Sequence, residues 1–236
     1  SDLNPKLTWE ISCLGTKHLC DLAKKNKIKK FIFASSGSVY GIKKEKKVTE
    51  KLKCEPISDY NKTKIIAEKV IESYKKYFKY YIIRPSTLYG YSPRMRLDLT
   101  MNILTKQAAL KNKIFVFGGK QWRPFLHVRD MASIYLFFIK RDLPEGVYNA
   151  SRGNLRVIDK AKIIKKLSKN CKIKIKKIND IRPYRLSSDK LLKLGFKFKN
   201  ELLPSLKEMF LMFKNKEIKD LPNFYSLKWI KAIKKN

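Results

Sequence analysis

Apolar and polar positions along the chain alternate between helical and strand periods. Leu7, Ile11, Leu14, Leu19 and Leu22 recur at near-helical spacing and predict an amphipathic helix that runs into the basic turn 24–30. Phe31-Ile32-Phe33-Ala34 follows as a short buried strand, a type that needs both faces covered as in a parallel sheet, and it ends in the small polar residues Ser35, Ser36, Gly37 and Ser38. A polar loop leads to Ser58 or Asp59, either of which can cap a helix ending near Lys76 with Ile65, Ile66, Ala67, Val70 and Ile71 facing inward. Tyr60 and Lys64 then lie on its first turns. A strand is expected over 80–83, closing on Arg84-Pro85, and a helix over 99–110. Beyond it come a strand over 114–117 ending in Gly118-Gly119, a helix capped by Asp130 and running to about Lys140, and a strand over 147–150.

Strand and helix alternating on this scale predict an α/β fold with a doubly wound parallel sheet. After Ala150 the pattern weakens into a smaller α/β lobe, with helices near 157–168, 188–194 and 204–213, and then a Lys-rich tail over 216–236. No internal repeat or low-complexity linker interrupts the chain.

Composition narrows the classes. Of 236 residues 44% are hydrophobic, with 13 Phe and 12 Tyr, enough to build a core and too many for a disordered chain. The longest apolar run, from Ile134 to Ile139, falls far short of the ~20 residues that span a bilayer, and the first residues show no basic-then-apolar leader, so the expectation is a soluble, cytoplasmic protein with no membrane contact. Cys13, Cys20, Cys54 and Cys171 form no C-x-x-C pair and the two His are far apart, which signals neither a disulfide framework nor a metal site; ordinary buried thiols are expected.

The charge is extreme: 55 Lys plus Arg against 20 Asp plus Glu give +35. Such a balance invites a nucleic-acid reading, because clustered cations release counterions from phosphates. Yet 10 of the 55 are Arg and 45 are Lys, spread along the whole chain, and a Lys acts as a point charge without the planar fork that reads bases. A solvated basic surface with no specific nucleic-acid partner is the expectation, with a basic nucleic-acid-binding protein as the alternative of another class.

Tyr60-x-x-x-Lys64 pairs a Tyr with a Lys one helical turn later. With this much Lys, chance predicts roughly two such pairs, and the chain holds two, the other being Tyr40 and Lys44. Context separates them. Ser36 stands at a strand end 24 residues before Tyr60; Arg84-Pro85 closes the next strand; Trp122-Arg123-Pro124-Phe125-Leu126-His127-Val128-Arg129-Asp130 follows. With Leu14-Gly15-Thr16, Phe33 to Gly41, Tyr60 to Lys64, Leu88-Tyr89-Gly90 and Arg182-Pro183-Tyr184, the chain from about Asn4 to Phe196 resembles the extended short-chain dehydrogenase/reductase family of NAD-dependent nucleotide-sugar epimerases and dehydratases.

The resemblance implies a Rossmann-like NAD-binding domain formed by 1–90 and 125–150, and a nucleotide-sugar lobe formed by 91–124 and 151–215. It implies Tyr60 as base, Ser36 as its hydrogen-bond partner and Lys64 on the nicotinamide ribose, with Ser35, Tyr60, Lys64 and Pro85 around the cofactor, NAD. Arg123 and Arg182 resemble the arginines that clamp a nucleotide diphosphate, and Asn102 a substrate-binding Asn. The helices near 7–25 and 59–76 resemble those of a four-helix dimer interface, so a homodimer is expected.

Physical chemistry supports that assignment. A free Tyr titrates near 10, and its use as a base near pH 7 needs roughly 4 kcal/mol of preferential stabilisation of the phenolate. Lys64, one turn away, supplies part of it. Family members that dehydrate or decarboxylate a nucleotide sugar resemble one another in carrying Asp or Glu just after the catalytic Ser or Thr; here Gly37 and Ser38 stand there. A 4-epimerase-like reaction through a transient keto sugar, on a UDP-sugar, is therefore expected, with a nucleotide-sugar reductase or dehydrogenase as the alternative. Three departures accompany the resemblance. Ser12 and Thr87 stand where Asn is usual, and the nine Gly include no G-x-x-G-x-x-G spacing. The expectation is a family member lacking roughly 60–80 N-terminal residues, for which a non-catalytic fragment is the competing class.

Overall fold

The side-chain oxygen of Asn4 accepts from the backbone N–H of Leu7 at 3.0 Å, and Pro5 takes the first helical position, where its missing N–H costs nothing. These two residues start α1 (Pro5–Trp9), which runs through a π-helical turn, Glu10–Leu14, into α2 (Gly15–Lys25). The computed structural model describes residues 4–177 and 184–226. The helical reading holds, but its apolar row faces outward: Ile11 is 65% exposed, and Leu7, Leu14, Leu19 and Leu22 are exposed too. The buried face of α2 is Thr16, Cys20 and Ala23, at helical spacing on the other side. A row of large apolar residues marks a face that favours cover; it does not say that the same chain supplies it.

The chain divides into two compact units. The first holds residues 1–86, 131–152 and 184–197. Its sheet is parallel, in the order β1 (Lys30–Ala34), β2 (Lys79–Pro85), β6 (Gly146–Ala150), with Phe33 opposite Ile82 and Arg84 opposite Asn149. The central β2 is buried from Tyr80 to Arg84, whereas β1 is only half-buried, because a strand at the edge of this sheet has one neighbour. Ser58 caps α3 (Asp59–Ser73), its Oγ accepting from Asn61 N at 3.3 Å. Cys20, Ala23, Ile71, Phe78, Tyr80 and Ile82 pack into one core between α2, α3 and the sheet. Ile66, expected inward, is exposed, and Glu68 takes an inward place instead. Lys30 Nζ closes the C-terminus of α5 (Val128–Lys140), donating to the carbonyls of Phe138, Ile139 and Arg141 at 3.2, 3.0 and 2.6 Å. The segment 184–197, with the short α7 (Asp189–Lys193), also belongs here, held where Val48 bridges Leu186.

The second unit holds 87–130, 153–183 and 198–236. β3 (Thr87–Tyr89) and β5 (Trp122–His127) are parallel, β7 (Gly153–Arg156) is antiparallel to β5, and β4 (Lys113–Phe117) pairs with β8 (Lys172–Lys176). Around them lie α4 (Thr100–Lys111), α6 (Val157–Lys165) and α8 (Leu202–Lys214), closed over Leu104, Ala108, Ile114, Ala161, Leu206 and Phe213. Ile218 and Phe224 of the expected tail join this core. Asp130 caps no helix: α5 begins two residues earlier, and Asp130 Oδ1 accepts from Lys199 N, Asn200 N and Asn200 Nδ2. Among the described residues no helix is long and apolar enough to cross a membrane.

Candidate active site

At the carboxyl end of β1 the chain turns sharply. Ser36 caps a 3-10 turn, Gly37–Tyr40, and its Oγ lies 2.8 Å from Ser38 Oγ, which donates to Asn61 Oδ1 at 2.6 Å. The turn ends at Gly41, whose φ of +71° and whose approach to Glu55 are open only to a residue without a side chain: a Cβ there would lie 2.1 Å from the Glu55 carbonyl oxygen. Ser36 is thus fixed by both its backbone and its neighbours.

Tyr60, on the first turn of α3, is 40% exposed, so its ring is accessible to a ligand. Lys64, one turn later, reaches back to the end of β1 and donates to the Ala34 carbonyl at 2.8 Å. Its ammonium is 4.7 Å from the Phe33 ring centroid and 5.7 Å from that of Tyr60. Burial lowers its pKa, while Glu68, a further turn along α3, acts in the opposite direction. The structure therefore brings Ser36, Tyr60 and Lys64 to one strand end, and Pro85 closes the adjacent strand, its carbonyl 3.1 Å from where a Gly37 Cβ would be.

Beneath them is a buried polar network that the sequence reading passed over. Arg84 donates from Nε and Nη2 to the two oxygens of Glu68 at 3.0 and 2.5 Å, and from Nη1 to Tyr40 Oη at 2.8 Å; Tyr40 donates on to Asn149 Oδ1 at 2.9 Å. Ser35 donates to the same Glu68 carboxylate. Burial would lower the Arg84 pKa, but the Glu68 carboxylate outweighs it and raises the value; burial pushes Tyr40 up to about 12. The Ser35 hydroxyl, expected on the cofactor, is engaged with the network. The available signal was Glu68 at i+4 from Lys64, an acid in the inward row of a helix.

In the second unit a cavity of about 350 Å³ is lined by Asp98, Thr100, Ile103, Gln107, Phe115, Phe117, Arg123 and Val157, among others. Two aromatic rings from β4 face it beside one guanidinium. Arg123 is half-buried, its Nη1 donating to the Trp122 carbonyl at 3.0 Å. Asn102, expected on the substrate, is buried on α4. Its Oδ1 accepts from Gly90 N at 3.1 Å and its Nδ2 donates to the Arg96 carbonyl at 2.9 Å, so both ends of the amide hold the loop 90–96. Arg182 lies outside the described residues. No cluster of three or more His, Cys, Asp or Glu able to hold a metal occurs among the described residues, and the four Cys are free.

Comparison with known proteins gives the same family. The chain is 37% identical over 117 residues to an uncharacterised UDP-glucose epimerase of Bacillus subtilis, covering 48% of this chain and 36% of that protein. It is 31% identical over 138 residues to a putative UDP-glucose 4-epimerase of Methanocaldococcus jannaschii, covering 56% of this chain and 45% of that one. It thus spans less than half the length of these relatives. Among solved structures, a UDP-glucose 4-epimerase of Thermotoga maritima with UDP-glucose superposes with a TM-score of 0.79 at 26% identity, over 91% of this chain and 73% of the other. A UDP-glucuronic acid 4-epimerase of Bacillus cereus, in complex with UDP-glucuronic acid and NAD, gives 0.76 at 27%, over 87% and 68%. The sequence model of the NAD dependent epimerase/dehydratase family matches residues 1–151, and the chain belongs to that family.

Proposed function

We propose that the whole protein is an NAD-dependent nucleotide-sugar 4-epimerase acting on a UDP-sugar, with Tyr60 as base. The observation that carries this reading is the placement of Lys64: its ammonium bonds the Ala34 carbonyl and stands one turn from Tyr60, at the strand end that presents Ser36. The donor set suits the nicotinamide end of NAD, with the Lys64 ammonium for ribose hydroxyls and the accessible face of Tyr60 beside it. NAD, when bound, supplies a hydride acceptor and donor. Tyr60 takes the proton of the sugar 4-hydroxyl and gives it back, Lys64 favours the phenolate over the phenol, and Ser36 hydrogen-bonds the same oxygen.

Position 38 supports epimerisation over dehydration. Ser38 is engaged with Ser36 and Asn61 and offers no titratable acid, and Gly37 offers none. The nucleotide is assigned to the second unit's cavity, where Phe115 and Phe117 present apolar surface for a base and Arg123 a fork for phosphate. Asn102 acts there by holding the loop 90–96, a positioning role. The relatives named above, epimerases of UDP-sugars, favour the same substrate class.

The exposed row Leu7, Ile11, Leu14, Leu19 and Leu22, with Ile66 of α3, supports a homodimer through these helices, since a face this apolar favours cover by a second copy. The deciding experiment is interconversion of UDP-glucose and UDP-galactose with NAD present. Tyr60→Phe is expected to lower kcat by 10³-fold or more; equal activity in that variant rejects the mechanism. A single monomeric species in sedimentation across micromolar concentrations rejects the dimer.

A further inference from the structure

Lys160 is out of place. It lies on α6 in the inward row Val157, Lys160, Ala161 and Ile164, where its neighbours are core residues, and it is 1% exposed. A buried ammonium ordinarily has a carboxylate partner. Lys160 has none among the described residues, nor do the elements packed against α6 offer one. α4 carries Lys106 and Lys111, of which Lys106 is paired with Asp220; β4 carries Lys113; β7 carries Arg156, paired with Asp159; β8 carries Lys172, Lys174 and Lys176. Each of these charges is positive. What the Lys160 amine does meet is the ring of Phe125, 5.4 Å from its centroid, and the field of Arg123.

Lys160 is buried behind the cavity lining, one turn of α6 from a residue that belongs to it. Arg123 and Phe125 are two apart on β5 and share a face of the strand; Val157 and Lys160 are three apart on α6 and share a face of the helix. Arg123 and Val157 both line the cavity. The first turn of α6 is tied to the loop entering β5, since Val157 N donates to the Gln121 carbonyl at 3.1 Å and Ile158 N to that of Gly119 at 3.0 Å. Asp98, the carboxylate in the cavity lining, is paired with Arg96 and leaves the amine without an internal counterion.

We propose that Lys160 is a further cation for the substrate's diphosphate, pairing with it beside Arg123. This rests on the nucleotide-sugar reading above and adds to it a binding residue. Burial, with Arg123 adjacent, holds the Lys160 pKa down to about 7, so above that pH the amine of the free protein is neutral. An arriving diphosphate supplies the missing negative charge, and a proton from solvent passes to the amine as the ion pair forms.

Calorimetric titration of the full chain with UDP-glucose, whose diphosphate diester does not titrate near neutrality, tests this in buffers of different ionisation heat. At pH 8 we expect uptake of close to one proton per UDP-glucose, and affinity that falls up to about tenfold per pH unit between pH 7 and 9. Lys160→Met is expected to abolish the uptake, flatten the pH dependence and weaken binding at pH 7 about tenfold or more. Wild-type binding without proton uptake overturns the proposal, as does unchanged affinity in a folded Lys160→Met. If that variant does not fold, the wild-type proton count decides alone. Failure of the wild type to bind UDP-glucose at all rejects the nucleotide-sugar reading, and this proposal with it; binding without uptake rejects this proposal only.

Discussion

Replacing Glu68 by Leu is expected to be among the most damaging single changes in the first unit. The carboxylate is buried and accepts from Arg84 Nε at 3.0 Å, from Arg84 Nη2 at 2.5 Å and from Ser35. Leu fills most of the space but leaves a guanidinium, itself buried, with Tyr40 as its one remaining partner in the network. Breaking one side of a buried pair costs about 3–5 kcal/mol, mainly because the surviving charge stays desolvated. Arg84→Met does the same to the carboxylate, and a similar loss is expected. The double variant Glu68→Leu with Arg84→Met removes both charges and strands one neutral group, Ser35 Oγ, at about 1–3 kcal/mol before any gain from apolar packing, while Tyr40 Oη keeps its bond to Asn149. Its total loss should thus fall well below the sum of the two singles, with a coupling energy of about 5 kcal/mol. Urea unfolding followed by circular dichroism at 25 °C measures all four proteins. Additive losses, or single variants each within about 1 kcal/mol of wild type, would show that the network contributes little and would refute this account.

Three further outcomes are expected. Lys64→Met removes a positive charge 5.7 Å from the Tyr60 ring centroid, worth about 3 kcal/mol at an effective dielectric of 20, so the pKa governing the rising limb of the kcat/KM profile should move up by about two units; an unmoved limb would mean that Lys64 does not tune the base. Gly41→Ala drives a Cβ into the Glu55 carbonyl at a positive φ and should cost about 2–3 kcal/mol in a thermal or urea unfolding curve. Lys160 binds a proton less readily folded than unfolded, so the unfolded chain holds more protons between pH 7 and about 10.5 and wild-type stability should rise with pH across that window by roughly 4–5 kcal/mol from this group, a rise that Lys160→Met should lack.

Most of the architecture was legible because its signals are local. The strand expected over 80–83 and the helix capped at Ser58 need only an apolar run or a capping residue, and both are present with bounds shifted by a few residues. β3, β5, β7 and β8 were missed, the last two for a different reason. The alternation in Lys172-Ile173-Lys174-Ile175-Lys176 was masked by the Lys excess around it, and Gly153–Arg156 gains its strand character from pairing with β5. The same distinction runs through the sites. Ser36, Tyr60 and Lys64 could be singled out because the motifs around them follow in a recognisable order along the chain, and the fold brings the three to one strand end. Glu68 and Arg84 are 16 positions apart and Lys160 and Arg123 are 37 apart, so only the fold shows that each pair interacts. The hydrogen bonds of Asn102 to Gly90 and Arg96 are likewise visible only in the fold.

The outward leucine row of α1 and α2 sits on a chain of net charge +35, and the two features oppose each other when copies meet. Like charge repels over distances that salt sets, about 8 Å at physiological ionic strength and 3 Å at 1 M, whereas burial of apolar side chains is not weakened by screening. Self-association through this face should therefore tighten as salt is added, the reverse of an interface built on ion pairs. In dilute buffer the surface lysines act as a brake on crowding of the exposed leucines, and the same protein handled at high salt should be the one that pairs, or precipitates, first.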